Sequence, residues 1–279
     1  MSTTAPTTDR PLPRAGTGRV LMCQPTYFGV EYRINPWMDP SRPVDGARAV
    51  AEWRLIESAY RDVGQTVVTV DPVPGLPDMV FAANAGLVKA DRVLLTRFRY
   101  PERAGEEAAY AAALRAVGFS DVTQASFVNE GEGDYLRAGG VVLGGSGFRS
   151  DPRSHDEVAA FVDAPVVALE LVDARFYHLD TALAVLGDEM VAYWPGAFSP
   201  RSLGVLEDMF PDAVIASEAD AVAFGLNAWS DGRTVVLADG AVGLIDALRD
   251  RGLETVTVDT SELQKAGGSV KCCTLELPC

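Results

Sequence analysis

The sequence predicts an α/β fold built from a repeated unit and closed into a ring, on three observations. First, a hairpin, a helix-like stretch and a strand recur in that order along the 279 residues. Second, Asn84, Asp134, Asp180 and Asn227 stand just before successive hairpins, 50, 46 and 47 residues apart, and another 46 residues lead to Cys273. A period of this length is the signature of a repeat architecture. Third, the last apolar stretch, TLELP, has no hairpin partner of its own and would find one in the N-terminal strand RVLMCQP. Joining the last strand to the first makes a ring, and equivalent positions in a ring converge on its axis. Polar residues gathered there mark the expected active site.

The elements follow from local pattern. The hairpins read AGLVKADRVLLTRF, YLRAGGVVLGGSGF, TALAVLGDEMVAYW and AWSDGRTVVLAD, each with Gly or Asp at the turn, as tight hairpins prefer. In ARAVAEWRLIESAYRDVG, Ala47, Ala51, Leu55 and Ala59 recur near helical spacing before a terminal glycine. Later helices are PERAGEEAAYAAALRAVG, SHDEVAAFVDA, SPRSLGVLEDMF and AVGLIDALRDRG, and the closing strands are TVVTVDPV, DVTQA, PVVALEL, AVIAS and TVTVD. Ser199-Pro200 and the Ser154–Glu157 interval suit helix starts. Residues 1–17 read as a flexible tail and 18–279 as a single catalytic domain.

Composition narrows the function. With 48% hydrophobic and 23% charged residues the chain is an ordinary globular one, and it holds no apolar run long enough for a membrane span. A net charge of −15 opposes nucleic-acid binding but suits a small cation. Cys23, Cys272, Cys273 and Cys279 lack CxxC spacing, which argues against a zinc site. The start lacks the apolar segment of a secretion signal, so the expected compartment is the cytoplasm, with thiols reduced. Homo-oligomerisation is left open.

Three segments carry chemistry. His155 opens a helix and reads as a solvated surface residue, whereas His178 in FYHLDT enters the third hairpin beside Asp180, where an imidazole can shuttle protons. Asn129-Glu130-Gly131-Glu132-Gly133-Asp134 places three carboxylates in a glycine-spaced loop, suited to holding a guanidinium through charge-assisted hydrogen bonds. In GGSVKCCT, adjacent cysteines in a strand would face opposite sides, so one can be a nucleophile. Lys271 beside them either lowers the thiol pKa or faces solvent.

NEGEGD, FYHLDT and GGSVKCCT, in this order within a fivefold repeat, resemble the guanidine-modifying superfamily, the pentein or amidinotransferase fold, over about residues 18 to 278. Arginine deiminases, dimethylarginine dimethylaminohydrolases, arginine dihydrolases and amidinotransferases belong to it. The resemblance implies a five-bladed ββαβ propeller, a small guanidino amino acid as substrate, and no metal or organic cofactor. It implies Cys272 as nucleophile from the Cys-x-Thr pattern, His178 as acid/base and Asp180 as guanidinium holder. The usual E-G-G-D motif is one residue longer here, leaving Glu130 or Glu132 as the catalytic carboxylate. Glu130 is favoured because it keeps the motif's ends with Asp134. Arg97 and Arg149 match substrate-carboxylate clamps, and Asp78 matches an amine or guanidine contact.

Asn84 departs from the aspartate of deiminases. An amide can donate to the carbonyl of a ureido group. With PDMVFAANAG and INPWM, it makes the chain resemble arginine dihydrolases, which carry arginine past citrulline to ornithine. The leading expectation is therefore an arginine dihydrolase, with dimethylarginine hydrolysis, amidinotransfer and non-catalytic amino-acid binding as alternatives.

Overall fold

A computed structural model describes residues 18–277; the expected tail over 1–17 and Cys279 lie outside the described residues. The chain begins with strand β1 (Arg19–Cys23), helix α1 (Gly46–Asp62) and β2 (Thr66–Val70). Asp45 caps α1 by accepting from Arg48 N, and the helix buries Trp53, Ile56 and Tyr60 along one face.

Four hairpin–helix–strand units follow. The first comprises β3 (Gly86–Lys89), β4 (Arg92–Leu95), α2 (Pro101–Ala116) and β5 (Asp121–Gln124). The second comprises β6 (Tyr135–Ala138), β7 (Val141–Ser146), α3 (Ser154–Val162) and β8 (Val166–Glu170). The third opens on a one-turn helix α4 (Leu179–Ala182) and runs through β9 (Leu183–Val185), β10 (Val191–Tyr193), α5 (Pro200–Met209) and β11 (Val214–Ile215). The fourth, after the short α6 (Glu218–Val222), holds β12 (Trp229–Ser230), β13 (Thr234–Ala238), α7 (Val242–Asp250) and β14 (Glu254–Val258). The last strand is β15 (Leu275–Leu277).

Each unit makes one three-stranded sheet in which an antiparallel hairpin is joined by a parallel third strand, giving five sheets in all. In the first of them β15 pairs antiparallel to β1, Arg19 opposite Leu277, while β2 runs parallel to β1. The orphan strand TLELP thus finds the partner that the sequence pattern required. Ser199 caps α5 with Pro200 in its first turn, as expected. Ser154 does not cap α3: its hydroxyl donates to Asp151 O, and Glu157 accepts from Ser126 N and Phe127 N. His155 is half-buried with its ring edge-on to Tyr135, not solvated. Among the described residues no helix is long and apolar enough to cross a membrane.

Candidate active site

The residues before each hairpin form tight turns, and hydrogen bonds join each turn to the next. Ala83 N donates to Cys272 O at 3.0 Å, Asn84 Nδ2 to Glu130 O at 3.0 Å and Leu179 N to Asp134 Oδ1 at 3.1 Å. Asn227 Nδ2 donates to Asp180 O at 3.1 Å, and Lys271 N to Asn227 O at 3.2 Å. The glycine-spaced acidic loop is shaped by this crowding. Gly131 has φ +59°, and a Cβ there would lie 2.7 Å from Ala83 O; one on Gly133 would lie 2.4 Å from Asn84 Nδ2.

Glu130 and His178 meet at the centre of the cluster. Glu130 Oε2 lies 2.7 Å from His178 Nε2 and accepts from Arg149 Nη1 at 2.8 Å, with all three side chains buried. Burial works to raise the Glu130 carboxyl, but Arg149 and His178 reverse this and hold it well below the usual range. Arg149 lies between the rings of Tyr100 and Tyr177, 4.8 and 4.5 Å from their centres, and donates to Ile34 O. Glu132 faces elsewhere, with its Oε2 2.6 Å from Lys271 Nζ and accepting from Glu276 N. Lys271 is therefore neither solvent-facing nor turned to the thiols.

Cys272 completes the group. Its sulfur donates to Asp180 Oδ2 at 3.2 Å and accepts from Asn227 Nδ2 at 3.1 Å. Burial, then the Asp180 charge, pushes the thiol pKa well up, and burial raises Asp180 to about 6. Both cysteines adjoin a core that includes Trp53, Tyr60 and Trp229, but only the Cys272 sulfur bonds Asp180 and Asn227. The two cysteines differ in direction as expected but not for the expected reason: they lie in a turn ahead of β15, not in a strand.

Asp78 Oδ2 accepts from Tyr32 OH at 2.9 Å, while Asp78 Oδ1, Asp180 Oδ1 and His178 Nδ1 are buried without a protein partner. Asn84 Oδ1 accepts from Arg103 Nη1 at 2.8 Å, so the amide orientation is fixed by a donor that cannot reverse. Arg103 is buried, pairs through two nitrogens with Glu106 and stacks 4.4 Å from the Phe98 ring centre.

Of the two remaining expected contacts, Arg97 is not brought to this cluster, and Asp134 reaches it with its oxygens already engaged. Arg97 lies past the end of β4 in an isolated bridge to Asn129, is exposed, and its Nε donates to Ala125 O; the buried arginine is Arg103, six residues on in α2. Asp134 has both oxygens occupied by the frame, Oδ1 by Leu179 N and Oδ2 by Ser150 N and Oγ. It anchors the turn that carries His178 and Asp180. Sequence reasoning missed Arg103 because an Arg–Glu pair at i,i+3 on a helix ordinarily reads as solvated.

A cleft of about 340 Å³ lined by Ile34, Asn35, Tyr100, Arg149 and Tyr177 opens beside the cluster. Over it lies the 24–45 excursion, pinned by Trp37 Nε1 on Arg175 O at 2.7 Å and Asn35 Nδ2 on Ala266 O at 3.0 Å. Among the described residues no set of three or more His, Cys, Asp or Glu side chains is placed to hold a metal. Buried, unpartnered carboxylate oxygens beside a cysteine sulfur and a His–Glu pair can bind a cation and attack it.

No protein-family model matches the chain. It is 53% identical over 94% of its length to an N(G),N(G)-dimethylarginine dimethylaminohydrolase of Mycobacterium tuberculosis, covering 86% of that protein. It is 38% identical over 93% of its length to the bifunctional arginine dihydrolase/ornithine cyclodeaminase ArgZ of Synechocystis, covering 37% of it. The crystal structure of the N-terminal domain of ArgZ, a cysteine-to-serine variant bound to substrate, superposes with a TM-score of 0.89 at 37% identity, over 94% of this chain and 98% of that one. On these likenesses, and on a hairpin–helix–strand unit repeated through five sheets, the chain belongs to the pentein-fold family of guanidine-modifying enzymes that includes dimethylarginine dimethylaminohydrolases and arginine dihydrolases.

Proposed function

We propose that this protein is a cysteine-dependent hydrolase of the guanidino group of arginine or a methylated arginine, and that its leading activity is arginine dihydrolysis. The observation that carries the reading is Cys272 Sγ at 3.2 Å from the Asp180 carboxylate, beside the Glu130–His178 pair. In this reading residues 18–277 form one catalytic domain whose five sheets close as a five-bladed propeller. The β1–β15 pairing and the circuit of bonds between entry turns support that closure.

Glu130, Asp180 and Asp78 hold the guanidinium and the substrate's amine, and Arg149, which lines the cleft, answers its carboxylate. Cys272 sulfur attacks the central guanidino carbon as the thiol passes its proton to His178, and His178 delivers it to the nitrogen that leaves. Ammonia departs from arginine, or an alkylamine from a methylarginine, leaving a thiouronium on sulfur. Water then adds to that carbon and the C–S bond breaks, giving citrulline, the free thiol and one released proton. A second round on the ureido carbon yields ornithine, with the carbamoyl group ending as carbon dioxide and ammonia. Asn84 supports this second round, since an amide beside the reacting carbon tolerates a neutral carbonyl where a carboxylate repels it.

Dimethylarginine hydrolysis is the second reading, favoured by the 53% identical relative that bears that activity in its name. Mass-spectrometric identification of products from arginine, dimethylarginine and citrulline separates the two. Ornithine from arginine supports the first reading, and alkylamine with citrulline as end product supports the second. Binding of arginine without any product would overturn both.

A further inference from the structure

The fourth unit contributes Asn227 to the entry-turn circuit, and its side chain does more than join two turns. Its Oδ1 accepts from Cys272 N at 3.0 Å and from Ser269 N at 3.1 Å. Both partners are backbone donors, so the amide cannot be reversed without setting NH₂ against two N–H groups. The Nδ2 is thereby turned to Asp180 O and to Cys272 Sγ, each at 3.1 Å, in a side chain with no solvent exposure.

The sulfur otherwise has surroundings hostile to charge. Asp180, Cys273 and Tyr177 are among the titratable groups whose charges act on it, and none of these three supplies a positive charge. Lys271, the adjacent residue, donates to Glu132 and to Thr274 O instead. The Ser269 backbone also favours the ionised sulfur, and its N–H is itself held by Asn227.

We propose that Asn227 is a catalytic residue of this site, its side-chain N–H carrying the negative charge of the Cys272 sulfur as the thiol loses its proton. The inference rests on the cysteine mechanism above and deepens it. The amide keeps its own hydrogen throughout, while the thiol hydrogen points the other way, toward Asp180 Oδ2. A hydrogen bond to an ionised acceptor is roughly twice as strong as one between neutral groups, so the bond tightens as the nucleophile forms.

The test is the pH profile of Cys272 alkylation by iodoacetamide, read by peptide mass, in the wild type, Asn227→Asp and Asn227→Ala. Asn227→Asp keeps the acceptor for the Ser269 and Cys272 amides and replaces the donor on both Cys272 sulfur and Asp180 O by a carboxylate oxygen, so it serves if the alanine variant fails to fold. The expected result is a midpoint displaced upward by about one pH unit or more, equivalent to about tenfold slower alkylation on the rising limb. A comparable fall in kcat/KM should accompany it. An unshifted alkylation profile in either folded variant overturns the proposal. Turnover retained by Cys272→Ser is a different failure, which removes the cysteine mechanism itself.

Discussion

Glu132 Oε2 lies 2.6 Å from Lys271 Nζ, and this pair stands apart from Glu130, which is bound to His178 and Arg149. Two carboxylates that are neighbours in the sequence thus serve different partners.

Glu130→Gln should accordingly lose turnover by several orders of magnitude per folded molecule, because it removes the counter-charge of both His178 and the bound cation. Glu132→Gln should keep the chemistry but lower stability by about 2 kcal/mol, the usual worth of a hydrogen bond to a charged group, since Lys271 loses its nearer carboxylate and keeps Glu276 at 3.7 Å. Rates normalised to folded protein, beside denaturant melts, make the comparison. Equal rates in the two variants would show that Glu130 is not the carboxylate that matters.

Cys272→Ser should abolish turnover, and Cys273→Ala should retain most of it, since only the first sulfur touches Asp180 and Asn227. Trapping a substrate-derived adduct and mapping it by peptide mass assigns the nucleophile directly. An adduct on Cys273 would reverse the assignment.

Asn84→Asp should leave the Arg103 contact in place while setting a carboxylate oxygen against Glu130 O, where the amide now donates at 3.0 Å. Arginine should still be attacked, and the reaction should stall at citrulline. Product ratios over time, starting separately from arginine and from citrulline, read this out. Unaltered ornithine production would remove Asn84 from the second round.

Asp180, raised by burial to about 6, gives a pH test. Its carboxylate forms as pH rises through that value, so kcat/KM should climb on an acid limb near pH 6. The linkage sign follows: a carboxyl with a raised folded pKa favours folding below its unfolded value near 4, and that contribution is lost as pH rises through about 6. Asp180→Asn should therefore be inactive yet more stable than the wild type at pH 8, by about 2 kcal/mol. The difference should vanish below pH 4. A variant no more stable at pH 8 would mean that the charge is already well compensated.

Much of the frame was legible because each unit repeats local signals that do not depend on distant contacts. Hairpin turns, helical spacing and the orphan TLELP strand placed all five units. Side-chain destinations were harder. Arg97 and Arg103 look alike in LLTRFRYPER, and only the tertiary docking of α2 decides which is buried. Asp134 and Asn84 share an equivalent position, yet one is saturated by backbone donors and the other faces Arg103. Asn227 was visible as a member of the repeat, but its amide acquires meaning only from a sulfur 45 residues away.

The pairing of β1 with β15 has a consequence for how the protein is made. During synthesis β1 emerges early and forms its parallel contact with β2, but one edge stays open until the last strand leaves the ribosome. Cys272 lies just ahead of that strand, and its backbone carbonyl accepts from Ala83 N in the unit next to β1. Until residues 275–277 are made, the nascent chain therefore carries an unmatched strand edge, a phase in which chaperone binding or aggregation competes with folding. The Cys272 sulfur therefore reaches Asp180 and Asn227 only once the segment leading into β15 has been made.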